Sequence, residues 1–340
     1  MKKFLSVLLI ALMLCSTCFM SGCGLFDALF ELVPTKYDDA DKYTAGNAEF
    51  EGKVDTFSIW WHHGKVTLKT HKENTVKIEE TANKDIDDTF RLHWRYYYVE
   101  GYGNVLYVYY SASGDYDFSD LKKDITIYLP ENDEMDLTFT TDTASVDVDT
   151  SGFENTIKEF VFCTNSGRLS AKIDSADQVR ISGQNDEGVP QENREFSLKA
   201  NGTVYDLGVS SSYAMVDVDV KSVRIGDVGS VFADVIFKSQ KVRDLTLTNS
   251  RNKIYATVLE FDSIDIETFE APCELILSPD ASFKLSIKEK DRFNYKMSPK
   301  SVKVEFDGVV NDGSQYTVGA GEKTIKFASE SDLVIRPAAE

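Results

Sequence analysis

The feature that most limits what this chain can fold into is a two-residue alternation of apolar and polar side chains. It returns in run after run from Phe50 onward. Val66, Leu68 and Thr70 alternate with polar residues, as do Val76 and Ile78. Phe90, Leu92 and Trp94 continue the pattern, then Val105, Tyr107 and Tyr109, then Ile125, Ile127 and Leu129 before Pro130. A period of two puts one face of an extended strand into a core and leaves the other outside. Turn signals fall between the runs, at His63-Gly64, Lys72-Glu73-Asn74, Gly101 to Asn104 and Ser113-Gly114-Asp115. No long helical periodicity follows Val33. These features predict an all-β chain.

Beyond Pro130 a weak repeat emerges. Leu137-Thr-Phe139 is followed by Val146-Asp-Val148, Phe160-Val-Phe162 by Leu169-Ser-Ala171, and Leu245-Thr-Leu247 by Ile254-Tyr-Ala256. The unit recurs at spacings of about 19 to 24 residues. One such unit cannot bury its apolar side alone, so neighbours must stack, which is the logic of a solenoid. A parallel β-helix of short strands fits. A stack of antiparallel hairpins or a β-sandwich is the alternative, because the period is irregular. The cysteines test the choice. Cys163 and Cys273 lie about five rungs apart, on the order of 24 Å at ~4.8 Å per rung. A disulfide needs Cα atoms within about 7 Å. Two free, buried thiols are therefore expected.

The N-terminus reads as an address. Lys2 and Lys3 precede a short apolar run, Phe4 to Leu14, as in a secretory signal of residues 1–22. Met20-Ser21-Gly22-Cys23 is similar to the bacterial lipobox, although the first of these positions is usually Leu. The similarity implies lipidation of Cys23 and an extracytoplasmic chain anchored to a bacterial membrane; an ordinary signal peptide is the alternative. Two or more acyl chains hold a protein stably, at ~0.8 kcal/mol per buried CH₂. Leu25, Phe26, Leu29, Leu32 and Val33 form an apolar stripe at helical spacing, ended by Pro34. This short helix either rests on the membrane interface or caps the open end of the β-domain. Residues 23–48 are thus anchor, helix and tether, and 49–340 the β-domain, with first strands at 49–130 and repeats at 131–340.

The layout of residues 50–340 resembles the bacterial adhesin family of the DUF4097 type. The carrying segments are Ile59 to Leu68, Val76 to Glu80, Lys123-Asp124-Ile125-Thr126-Ile127-Tyr128-Leu129-Pro130, and Gly319 to Arg336. The middle departs from the family's pattern, keeping Ser166-Gly167, and Gln184 to Glu195 looks like an inserted loop. The resemblance implies a right-handed β-helix on the outer face of the cell membrane.

Chemistry is harder to find. The chain carries 56 Asp+Glu against 37 Lys+Arg, a net charge of −19, which argues against a nucleic-acid partner. Asp147/Asp149 and Asp217/Asp219 sit at strand spacing, and such pairs can bind Ca²⁺, but a solvated strand face is the plainer reading. His62-His63 and His71 lie on neighbouring predicted strands. Adjacent residues point to opposite faces, so at most one of the pair joins His71. No nucleophile elbow or cofactor motif occurs, the one C-x₂-C spacing, Cys15/Cys18, lies in the signal segment, and no enzymatic activity, cofactor or metal is expected.

Aromatic residues are the most suggestive feature. Trp60-Trp61, Trp94 to Tyr98 and Tyr107 to Tyr110 place rings on both faces of the first strands. One face must be core; the other could stack on sugars or peptides. Trp60, Trp61, Trp94, Tyr96 and Tyr98 are the candidate contacts. The expected role is a lipid-anchored, non-enzymatic interaction or adhesion module, with the membrane, a glycan or an extracellular or envelope protein as partner. A carbohydrate-active β-helix enzyme and a structural or sensory ectodomain are the alternatives.

Overall fold

The computed structural model describes residues 40–112, 120–131, 134–151, 156–184, 194–288, 290–292, 295–313 and 315–339. The signal segment, Cys23, the apolar stretch 24–33 and most of the inserted loop lie outside them. Among the described residues, regular structure is strand apart from one short helical turn, Ala40–Lys42, and no helix is long and apolar enough to cross a membrane.

The strands build a β-solenoid. Each coil has a first arm, a corner, a second arm and a turn to the next coil. In the centre the arms run together as single long strands, Glu195–Ser211, Met215–Ser230, Val235–Asn249 and Ile254–Thr268. Neighbouring long strands pair in parallel over nearly their full length. The coil length is regular here: Val216 pairs with Val235, Val235 with Ile254 and Ile254 with Cys273. That 19-residue step is the lower limit of the repeat read from the sequence. Longer steps reflect insertions. Leu169 pairs with Phe196, and residues 185–193, outside the described ones, fall within that step.

Inward positions follow the alternation. Val216, Val218, Val220, Val223 and Val228 of one coil are buried, each stacked on an apolar or small residue of the next. Branched side chains suit such columns because the parallel ladder holds identical positions about 4.8 Å apart. One column breaks the rule. Where the second arm enters its turn, Trp61, Thr141, Thr164, Gly183, Ser211, Ser230, Asn249 and Thr268 follow one another in register. In this column Thr164, Ser211 and Asn249 are buried polar side chains that tie down the turn that follows. Thr164 Oγ1 accepts from the Gly167 N–H at 2.6 Å, and Ser211 Oγ from the Ala214 N–H at 2.6 Å. Asn249 Oδ1 accepts from the N–H groups of Arg251 and Asn252 while its amide donates to the Ala233 carbonyl at 2.8 Å. Asn249→Ala leaves these groups unpaired and is expected to cost about 1–3 kcal/mol, to be read from denaturant unfolding.

Both ends depart from simple coil order. Thr56–Trp61 lies between Gly103–Tyr109 and Glu134–Thr141, parallel to both. Gly64–His71 likewise lies between Lys123–Pro130 and Ser145–Asp149. The chain makes a first coil, travels beyond it to build an outer one, then returns. Gly64 permits the tight entry into its strand: its φ is +95°, and a Cβ there would meet the Lys123 carbonyl oxygen at 2.1 Å. The C-terminal end does the same. Lys323–Ala328 is held between Ile254–Thr268 and Phe283–Ile287, and Leu333–Pro337 between Cys273–Leu277 and Val302–Val304. Antiparallel strands close the outermost edges. Thr75–Ala82 pairs with Lys123–Pro130, His93–Val99 with Gly103–Tyr109, and Gln315–Val318 with Phe283–Ile287. Covering these edges removes templates for aggregation.

The thiols are free, as expected. Cys273 is buried in a first-arm column, but Cys163 is only half-buried. It falls between the inward residues Phe162 and Thr164, and its Sγ lies 3.4 Å from Ser182 Oγ of the next coil. Burial pushes the Cys273 thiol pKa up.

Candidate functional site

The aromatic residues gather at the N-terminal end, on the outer face of the second-arm stack. Parity explains their placement. Phe57, Ile59 and Trp61 face the core, so Ser58 and Trp60 face out; Leu106 and Val108 face the core, so Tyr107 and Tyr109 face out. Trp60 and Tyr109 are register neighbours, with ring centroids 6.3 Å apart at 61°. In the hairpin, directly opposed residues share a face. Arg95 opposes Tyr107 and Tyr97 opposes Val105, so Arg95 and Tyr97 join the outer set. Tyr97 and Tyr107 lie 6.1 Å apart. The Arg95 guanidinium is 4.1 Å from the Tyr97 ring centroid and 5.9 Å from that of Tyr43. Tyr43 meets Tyr109 edge-on at 5.2 Å. It is carried there by Thr44–Ala45, which pairs antiparallel with His93-Trp94.

This is a half-exposed surface of Trp60, Tyr43, Tyr97, Tyr107 and Tyr109 around one arginine. Burial pushes the Tyr107 phenol up to about 12, and pushes Tyr43 up as well, with Tyr109 adding to it. These two hydroxyls stay neutral at physiological pH, and a neutral phenol can both donate and accept. Rings and phenol hydroxyls beside a cation match the flat C–H faces and hydroxyl edges of sugars.

Of the five residues singled out from the sequence, only Trp60 belongs to this face. Trp61 is fully buried; its indole donates to the Lys123 carbonyl at 3.1 Å and meets Tyr110 at 4.9 Å. Trp94 stacks on Phe50 at 5.1 Å, with interplanar angle 12°. Tyr96 contacts Phe50 too and donates to the Lys53 carbonyl at 2.7 Å. Both sit on the inner side, opposite Val108 and Leu106. Tyr98 follows on that side and is 71% exposed near the hairpin tip. The signal for Tyr107 and Tyr109 lay in the sequence, because Leu106 and Val108 mark the other parity as core.

The remaining chemistry is dispersed. His63 Nδ1 is 2.7 Å from Thr143 Oγ1, His71 Nε2 is 2.7 Å from the Thr75 carbonyl, and burial lowers the pKa of His62 and His93. Asp147 pairs with Lys65 at 2.6 Å, and Asp149 accepts from Ser151. Among the described residues no cluster of three or more His, Cys, Asp or Glu could hold a metal ion.

Four carboxylates, Asp136, Glu159, Asp217 and Asp227, have their pKa raised, in each case chiefly by burial. The folded chain then holds protons more tightly than the unfolded one. The stability this contributes is complete below the ordinary carboxylate value near pH 4 and is lost as pH rises through the raised values. The net charge of −19 acts in the same direction. The melting temperature is expected to rise on acidification from neutrality toward pH 5, with a smaller rise in Asp136→Asn/Glu159→Gln. A melting temperature that falls over that range would contradict this.

No protein-family model matches the chain, and no curated protein is significantly similar to it. Among solved structures, a candidate cell adhesion protein from Clostridium sporogenes aligns at 9% identity over 87% of this chain and all of that one, with a TM-score of 0.27. A TM-score of that size leaves both architecture and role to be read from the chain itself.

Proposed function

We propose that this chain is a lipid-anchored, extracytoplasmic, non-enzymatic adhesion module that binds glycans through the aromatic face of its N-terminal coils. The observation that carries the reading is the half-exposed set Trp60, Tyr97, Tyr107 and Tyr109 with Arg95. A lone exposed ring is ordinary, but a contiguous aromatic surface on a domain with a complete core elsewhere is a contact surface. The sequence before it supports the same reading. Cys23 of the lipobox-like motif lies 20 residues before Tyr43, so the aromatic end stays within about 70 Å of the anchor however the tether runs. Ligands near the membrane are therefore in reach. Hydrolysis would call for two carboxylates of opposed protonation. The register neighbours Asp136 and Glu159 are instead both shifted upward.

The test is a glycan array probed with the purified protein beside a Trp60→Ala/Tyr109→Ala variant. Each ring face is worth about 0.5–1.5 kcal/mol, so the variant is expected to lose roughly tenfold in affinity with its fold intact. Binding that is equal in the variant overturns this site. Silence of the folded protein moves the assignment to an envelope-protein partner, to be sought by co-purification. Sugar release from a bound glycan would overturn the non-enzymatic reading.

A further inference from the structure

A concavity lies on another part of the solenoid, at the corner where the first arm bends into the second. It is a groove of about 330 Å³. Four successive coils contribute to it, through Asn201, Lys221, Gln240 and Leu259, so it extends for about 15 Å along the stack at ~4.8 Å per coil. In the coil Glu195–Ser211 the register shifts between Ala200 and Thr203, which places the extra backbone of that coil at the corner. Buried Ala200 and Val220 form part of the floor.

The charge of the groove is opposite to that of the molecule. Lys199, Lys221 and Lys238 line it, with Asp219 as its one carboxylate. Asp219 stands in register between Lys199 and Lys238, and Lys238 also lies in the field of Asp217. Even so, among the described residues no ion pair within 4.0 Å engages any of the three lysines, whereas nearby Lys241 pairs with Glu260 at 3.6 Å. On a chain with net charge −19, three unengaged ammonium groups along one open groove constitute a local anion site. The groove is open and elongated, with no donors converging on a point, so it suits a chain rather than a single small anion. Lysine contacts phosphate as a point charge without demanding a fixed geometry. The apolar floor and Leu259 suit short carbon segments between charges, and Asn201 and Gln240 can hydrogen-bond ester oxygens.

We propose that this corner groove binds a linear polymer in which phosphates alternate with short carbon segments. A rigid nucleic-acid duplex is disfavoured, because it would bring the acidic remainder of the surface against its own phosphates.

The test uses the whole protein and poly(glycerol phosphate) as probe, with inorganic polyphosphate, poly-glutamate and vesicles of an anionic phospholipid as comparison arms. Binding to poly(glycerol phosphate) is expected to weaken with salt at a slope set by two to three released ions, about −0.7 per phosphate contacted. Lys199→Gln/Lys221→Gln/Lys238→Gln is expected to lower that affinity at least about tenfold. The three side chains are solvent-exposed, so the melting temperature should stay unchanged, and glycan binding by the aromatic face should persist. Weaker binding of inorganic polyphosphate supports the carbon-segment assignment. Equal affinity for poly-glutamate overturns the phosphate assignment. Binding to vesicles but not to the polymer overturns the polymer assignment, and undiminished binding by the triple variant overturns the site.

Discussion

Lys123→Met is expected to remove about 3–5 kcal/mol of stability, the loss typical when one partner of a buried ion pair is deleted. The Lys123 side chain is fully buried and its Nζ lies 2.6 Å from Glu80 Oε1, itself 5% exposed. The ammonium also donates to the carbonyls of Phe90, at 2.7 Å, and Tyr110, and faces the rings of Tyr110 and Trp61 at 4.2 and 5.0 Å. Glu80 Oε1 accepts in addition from the Leu92 N–H at 2.9 Å. The pair therefore cross-links the strands of the excursion, residues 75–130, to one another, and Lys123 reaches the first coil through Trp61. With methionine at 123, Glu80 remains buried with no cation. Guanidinium unfolding followed by tryptophan fluorescence measures the loss, and a change below about 1 kcal/mol would refute the assignment. Lys123→Met/Glu80→Leu is expected to recover most of it, because apolar replacements of a whole buried pair are often neutral or better. The pH dependence has a definite sign. Burial pushes the Lys123 pKa down to about 8, with Glu80 pulling it back up. Between there and the ordinary lysine value near 10.4 the unfolded chain holds a proton that the folded chain has released. Stability from this residue then rises with pH across that window, and Lys123→Met lacks the rise.

Trp61→Ala should cost about 3–5 kcal/mol as a large buried aromatic removed from a core, whereas Trp60→Ala should cost on the order of 1 kcal/mol, because its ring is half outside. Trp61 shares Lys123 and Tyr110 with the buried pair, so Trp61→Ala and Lys123→Met should be non-additive, coupled by about 0.5–3 kcal/mol. Thermal and denaturant unfolding of the two single variants and the double provide the cycle. Additivity within about 0.3 kcal/mol would show that the two do not form one unit.

Those adjacent tryptophans show where the sequence is informative. Alternation alone says that Trp60 and Trp61 face opposite ways; it does not say which is core until the parity of Phe57 and Ile59 is followed through. The step is easy where apolar and polar residues alternate, as from Val216 to Val220, and the coil period was legible for that reason. It fails in Trp94 to Tyr98, because tyrosine suits both a core and a surface and all three phenols carry the same pattern value. Trp94 and Tyr96 thus read as a surface row although Phe50 packs on them. Cys163 is a similar case: a thiol ranks among the most buried side chains, yet it falls on the outward parity of its strand. The polar column from Thr141 to Asn249 looks like ordinary loop onset in sequence, since its burial is visible only when coils are stacked. The return of the chain at both ends has no local signal at all, because pairing between residues so distant in sequence is a property of the assembled coils.

That return has a mechanical meaning. In a simple solenoid the last coil has one neighbour and peels away under load, one ladder at a time. Here Leu333–Pro337, close to the C-terminus, is gripped along both edges, and so is Thr56–Trp61 once the short strands before it have given way. A pull that reaches either of these strands must break two rows of backbone hydrogen bonds together. A tether leading from the first coil would, once the short edge strands have yielded, pass tension into the body of the stack.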